Sequence, residues 1–435
     1  MTAHVVVVGG GFAGVACARR LARDGNDDVR VTLIDKNGYH QFQPLLYQVA
    51  TAELARRDMS FDLAAIFDGD DAVQVRTGEV TDVDLETRTV TLAGGGTVTG
   101  DVLVMAAGAA PNFFHTPGAA EHAYPLYSVD NAERIRETVL RLFAEAAAKP
   151  ELIAEGALTF VVVGAGPTGV ETAGALAELV HDVMPHVHDT LVAGAAKVIL
   201  VDLGHTVLPA FSDEAHDYAA KQLRHRGVEL RLGQAVREIG PGHVTLGDGT
   251  TIKTQLVVWG GGISAAPLAA RCGGLTRGRG GRIDVAADLT VSGFPGVYAV
   301  GDVANIPFGD EPALPQLGSV AAQSGAWAAR NILADLRGGQ GGGQRESFHY
   351  RDKGIMAMIG RRAAVAEIGP HRHELHGRMA FAAWLGVHAQ LLANARAEVG
   401  ALDAWAEDFY LRPHHRSAHL LDPEAAGTPR INWNG

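Results

Sequence analysis

The feature that most constrains this chain is a glycine hexad, Gly9-Gly10-Gly11-Phe12-Ala13-Gly14. It directly follows the apolar run Val5-Val6-Val7-Val8 and opens helical periodicity at Phe12, Val15, Ala16 and Arg19-Arg20-Leu21. A short β-branched run closed by glycines is expected to be a buried parallel strand. The next strand, Val29 to Ile34, ends on Asp35 and completes a βαβ unit. In this pattern Gly9 makes the tight turn, Gly11 lets a phosphate approach the backbone, and Gly14 lets the helix pack close to the strand. The free N–H groups and positive end of the helix, with Phe12 and Ala13 in its first turn, then face a pyrophosphate. Asp35 is placed to accept from the hydroxyls of an adenosine ribose.

The pattern recurs once. Phe160-Val161-Val162-Val163 leads into Gly164-Ala165-Gly166-Pro167-Thr168-Gly169, Val170-Glu171 opens the helix, and the strand Lys197 to Val201 ends on Asp202. Two copies so far apart are two dinucleotide folds rather than a solenoid. Asp202 lies beyond the usual ~20 residues, and the stretch with His181, Pro185, His186 and His188 is expected to be a lengthened helix and loop. A carboxylate there favours a ribose 2′-hydroxyl and repels a 2′-phosphate, so the second site is expected to take NADH over NADPH, with His205 as the one nearby softening group. Two such sites need a division of labour: the first is expected to hold FAD, the second the mobile NADH/NAD.

Further buried strands run from Asp101 into Ala107-Gly108, and from Leu256 to Trp259 into Gly260-Gly261-Gly262. A third, Gly296 to Val300, ends on Gly301-Asp302 and returns the chain to the first domain. The expected fold class is therefore α/β, with two Rossmann-like dinucleotide-binding domains, the NADH domain inserted in the FAD domain, plus a C-terminal α+β unit. The expected boundaries are 1–150 and 266–337 for the FAD domain, 151–265 for the NADH domain, 338–345 for a Gly-rich linker, and 346–435 for a C-terminal domain with an amphipathic helix. Within the last, residues Phe348 to Ile368 look strand-like. Phe381, Trp384, Leu385, His388, Leu392, Ala395, Val399 and Leu402 recur at helical spacing.

Composition excludes several classes. A net charge of −12 argues against binding nucleic acid. The only cysteines, Cys17 and Cys272, form no Cys-x-x-Cys pair, which excludes electron transfer through a dithiol. His181, His186 and His188 lack the companion ligands of a metal site, and no metal is expected. Met1 leads straight into a strand without a signal-peptide pattern, so the cytoplasm is the expected compartment.

Near the flavin, the Asp302 carboxylate is expected to accept from the ribityl chain. The helix around Ser319 to Ala329 would aim its N-terminus at the edge where negative charge develops on reduction. A turn aspartate capping a helix is the alternative.

With these residues the chain resembles the type II (non-proton-pumping) NADH dehydrogenases, FAD enzymes that pass electrons to quinone at the membrane. Tyr39-His40-Gln41-Phe42-Gln43-Pro44-Leu45-Leu46-Tyr47-Gln48-Val49-Ala50-Thr51 is similar to the family's segment beside the flavin ring. The hexad at 164–169 with Val170-Glu171 resembles its NADH fingerprint, and Asp352 to Ala357 with Ile359-Gly360-Arg361 its C-terminal segment. The resemblance implies a flavin site that also includes Lys36, Pro44, Val80, Ala107 and Gly108, and an NADH site that includes Gly261. It makes Glu171 a candidate for proton handling, against the plainer role of a first-turn glutamate complementing the helix dipole. It also implies a quinone site, for menaquinone or ubiquinone, at Tyr47, Gln48, Gln316, Ser319 and Gln323. The family's Ala-Gln-x-Ala-x-Gln pattern is altered here, with Ser319 in place of the first glutamine.

From Met379 to Ala395 no residue is charged, yet polar residues interrupt the run, and it falls short of the ~18 apolar residues of a spanning helix. The resemblance implies an interfacial helix on the cytoplasmic face of the cell membrane, with Arg372, His373, His376, Arg378, Arg412, His414, His415 and Arg416 towards anionic head groups. A helix packing onto the FAD domain stands beside it. A homodimer fits either. The rivals to NADH:quinone oxidoreduction are a soluble NADH reductase using another small acceptor or oxygen, and a redox sensor that binds FAD and NADH without turnover.

Overall fold

The computed structural model describes residues 2–188, 190–309, 313–338, 344–369, 371–391, 405 and 421. The chain divides into two compact units, each drawn from three segments. The first comprises Met1–Gln41, Phe61–Pro111 and Ile263–Asp352; the second comprises Phe42–Ser60, Asn112–Gly262 and Lys353–Gly435.

In the first unit five parallel strands line up as Val297–Ala299, Val102–Met105, Ala3–Val8, Val29–Asp35 and Val73–Thr77. Val5, Val6 and Val7 are fully buried, as a strand covered on both faces requires. Helices Phe12–Gly25 and Gly318–Gly338 pack against each other on this sheet. Gly325 permits the approach, because a Cβ there would collide with the Ala13 carbonyl oxygen. An antiparallel meander, Val80–Asp84, Thr89–Leu92 and Thr97–Thr99, precedes the strand Val102–Met105.

The second unit repeats this plan. Its parallel order is Tyr124–Pro125, Leu256–Trp259, Thr159–Val163, Lys197–Asp202 and Val228–Leu232, and a meander of Val236–Gly240, His243–Leu246 and Thr251–Lys253 precedes Leu256–Trp259. The helix Pro167–Glu178 continues through a π-helical turn, Leu179–Val183, and a short turn, Met184–His186. This is the lengthened stretch that displaces Asp202 along the sequence.

Three antiparallel strands, Gly354–Gly360, Ala363–Ile368 and His373–His376, then lead into the helix Gly377–Leu391. Gly174 lets this sheet lie directly on the helix Pro167–Glu178, since a Cβ at 174 would strike the Ile359 carbonyl. The expectation of strand from Phe348 holds only from Gly354. Upstream, backbone groups are held singly instead of in a ladder: Phe348 N–H donates to the Ala287 carbonyl at 2.7 Å, and Arg351 N–H to Gln323 at 3.0 Å. Both partners belong to the first unit. The periodic positions Leu392, Ala395, Val399 and Leu402, residues 339–343 of the Gly-rich linker, and Arg412, His414, His415 and Arg416 lie outside the described residues.

Candidate dinucleotide and proton-handling sites

The two glycine turns have the same geometry. Gly9 has φ +112° and Gly164 φ +103°, a left-handed backbone that favours glycine. A Cβ on Gly14 would collide with the Gly9 carbonyl, and one on Gly169 with the Gly164 carbonyl. At Gly11 and Gly166 a Cβ would meet nothing within 4 Å. The middle glycine of each turn therefore borders open space at a helix N-terminus, where a phosphate can reach backbone N–H groups. The residues present fit a dinucleotide at both places.

The acids behave alike too. Asp35 Oδ2 accepts from Gly10 N–H at 2.6 Å and Oδ1 from Asn37 N–H at 2.7 Å. Asp202 Oδ2 accepts from Ala165 N–H at 2.6 Å and Oδ1 from Gly204 N–H at 2.5 Å. Each carboxylate thus holds its own turn and keeps further lone pairs for a ribose. Burial pushes Asp35 up, while the Gly10 and Asn37 N–H groups and Lys36 oppose it.

The first unit also gathers Phe12, Ala13, Lys36, Val80, Ala107, Gly108, Gly301 and Asp302. Gly301 takes φ +68° beside Ala13 and Ala321, and its N–H donates to Ser324 Oγ at 3.0 Å. Burial pushes Asp302 up to about 6, against the lowering influence of Arg282. Gln316, Ser319 and Gln323 fall in this unit as well, and each has a protein partner. Gln316 Nε2 donates to the Asp302 carbonyl at 2.9 Å, Ser319 Oγ meets Tyr350 Oη at 2.9 Å, and Gln323 Nε2 donates to the Arg351 carbonyl at 3.1 Å.

Pro44, Tyr47, Gln48, Glu171, Thr168 and Gly261 fall in the second unit. Here a small cavity, with room for about one water molecule, is lined by Tyr47, Glu53, Glu171, Ala175, Glu178, Met358, Gly360 and Arg361. Burial pushes the Glu171 carboxyl up to about 8; the Met358 N–H, 3.1 Å from Oε1, and the nearby Trp384 indole oppose the shift without reversing it. Glu178 is paired with Arg226 at 3.1 Å and accepts from Arg361 N–H at 2.5 Å. Tyr47 is buried, and among the described residues neither its hydroxyl nor Gln48 Nε2 has a hydrogen-bond partner. Gln48 Oε1 accepts from the Trp405 indole at 3.0 Å. The Trp384 ring stacks on His388 at 3.9 Å.

The sequence reading missed Glu53 and Glu178. Glu178 stands seven residues after Glu171 on one helix, so their shared face was a usable signal. Nothing local marks Glu53. The thiols are chemically quiet: burial pushes Cys17 up to about 12 and Cys272 up to about 11, and both are free.

Residues 3–325 match the family model for pyridine nucleotide-disulphide oxidoreductases. The chain is 36% identical to the type II NADH:quinone oxidoreductase Ndh of Mycobacterium tuberculosis, over 98% of this chain and 92% of that protein. It is 29% identical to the type II NADH:quinone oxidoreductase of Staphylococcus aureus, over 82% of this chain and 87% of that one. Its fold matches the solved structure of NDH2 from Plasmodium falciparum in complex with NADH, with TM-score 0.85 at 19% identity, over 95% of this chain and all of that chain. Two glycine turns of one geometry, quiet thiols and near full-length similarity lead to one conclusion: the chain belongs to the pyridine nucleotide-disulphide oxidoreductase family, among its type II NADH:quinone oxidoreductases.

Proposed function

We propose that the chain is an FAD-dependent NADH:quinone oxidoreductase that moves two electrons from NADH to a quinone without pumping protons. The observation that carries this is the duplicated turn, with an open middle glycine and a strand-end acid in each copy. The turn at Gly9–Gly14 with Asp35 and Asp302 holds FAD, and the turn at Gly164–Gly169 with Asp202 and Gly261 holds NADH. FAD supplies the chemistry that the side chains lack, accepting a hydride and returning electrons in pairs. The chain orients both nucleotides, and Glu171, protonated at neutral pH beside a water-sized cavity, holds a proton that a reduced quinone needs.

Ser319 and Gln323 act by pinning the segment at Tyr350 and Arg351, and a quinone oxygen competes for those same hydrogen bonds. Among the described residues no helix is long and apolar enough to cross a membrane. The helix Gly377–Leu391 buries Phe381, Trp384 and His388, yet exposes Met379 (67%), Val387 (37%) and Leu391 (53%) beside Arg378. That outward face suits peripheral contact with the cytoplasmic side of the cell membrane.

The test is steady-state NADH oxidation with menaquinone and ubiquinone analogues against an oxygen-only control. We expect quinone-dependent turnover well above the oxygen rate. A rate that quinone does not raise contradicts the proposal and favours a different acceptor.

A further inference from the structure

We infer that His40 is a positioning residue for the flavin's phosphates, a side-chain donor that aims the Gly11 N–H. This rests on the reading of Gly9–Gly14 as the FAD turn. His40, in the strand Tyr39–Gln41, is 5% exposed, and its Nδ1 lies 2.9 Å from the Gly10 carbonyl oxygen. Since that oxygen can only accept, Nδ1 carries the proton. The Phe12 ring meets the imidazole edge-on at 5.1 Å and 90°.

The two peptide planes at Gly10 are thereby fixed in turn. The Gly10 N–H is held by Asp35, so the Gly9 carbonyl must point the opposite way, towards Gly14. The Gly10 carbonyl is held by His40, so the Gly11 N–H must point away from the imidazole. A Cβ at Gly11 would stand in open space, which is the side a phosphate occupies.

The second turn is an internal control. There Ala165 replaces Gly10; its N–H is held by Asp202 at 2.6 Å and its carbonyl by the Leu208 backbone N–H at 2.7 Å. Leu208 takes φ +56°, a conformation leucine adopts only under constraint. Both turns therefore clamp the corresponding residue through its N–H and its carbonyl, fixing the two peptide planes that flank it. The NADH turn draws its second donor from a constrained backbone, and the FAD turn draws it from His40.

The test measures FAD release from the holoenzyme by equilibrium dialysis, with NAD binding followed in the same samples. His40→Leu keeps an apolar filler without the donor, whereas His40→Asn places an amide nitrogen at the same bond count as Nδ1. Gly11→Val, which fills the open space, tests the underlying site. We expect His40→Leu to raise the FAD dissociation constant about tenfold, the worth of one hydrogen bond to a buried acceptor. His40→Asn should recover most of that loss, and NAD binding should stay unchanged in both. Wild-type FAD retention in His40→Leu overturns the inference, as does equal weakening in the Leu and Asn variants. Parallel loss of both nucleotides in His40→Leu would assign His40 to packing and overturn it too. If Gly11→Val leaves FAD affinity intact, the assignment of the turn itself fails; if only that variant loses FAD, the turn stands and the role of His40 falls.

Discussion

Glu171 and Asp202 are carboxylates of the second unit with opposite proposed tasks. Asp202 is partly exposed and is proposed to accept from the hydroxyls of a ribose. Asp202→Ala is expected to raise the Kd for NADH roughly tenfold, the cost of losing a charged hydrogen-bond acceptor that also braces the turn at Ala165. It should also narrow the gap to NADPH; isothermal titration with both nucleotides checks this, and an unchanged preference would misplace the acid. Glu171 is buried and protonated up to about 8, whereas an unfolded glutamate titrates near 4.5. Between those values the folded chain binds a proton that the unfolded chain has released, so this group's contribution to stability falls as pH rises through that window. Glu171→Gln should remove that slope in denaturant titrations across pH 5 to 8. It should also slow quinone-dependent turnover by roughly a hundredfold or more, the usual scale for a positioned acid, while FAD stays bound. A wild-type rate would return Glu171 to a role at the helix terminus.

Among the elements, the helix Pro167–Glu178 carries most of the load: its N-terminus follows the glycine turn proposed to hold NADH, Glu171 and Glu178 border the cavity, and Gly174 seats the C-terminal sheet. Gly174→Val should cost about 3 kcal/mol or more in a denaturant melt, because the collision is with backbone that cannot rotate away. The helix Gly377–Leu391 brings a pH effect of the opposite sign to Glu171. His388 is buried against Trp384, and burial pushes its imidazole down to about 4 from 6.5. The unfolded chain gains that proton first, so stability is lost as pH falls from about 6.5 towards 4, and His388→Gln should flatten this acid limb. The glycine turns, their strands and their acids were legible in the sequence because each depends on neighbours within one βαβ unit. The cavity was not, because Tyr47, Glu53, Glu171 and Met358 come from three separate stretches of chain. The segment before Gly354 was misread for a related reason. Its backbone is held by the distant Ala287 carbonyl and Gln323 side chain, and no local pattern announces that.

For the whole molecule, the duplicated architecture implies that electrons enter and leave in separate half-reactions, each linked to its own set of residues. The turns proposed to hold the two nucleotides are alike, whereas the residues proposed for the acceptor already have protein partners. Entry is accordingly the better-defined half. Stopped-flow mixing of the purified holoenzyme, first with NADH and then with a quinone analogue, separates the two half-reactions. Flavin absorbance should fall within about a second of NADH addition, on the scale of ordinary enzyme turnover. It should return when quinone is added under anaerobic conditions. Flavin that stays oxidised with NADH bound, or that stays reduced after quinone is added, would contradict electron transfer from NADH to quinone.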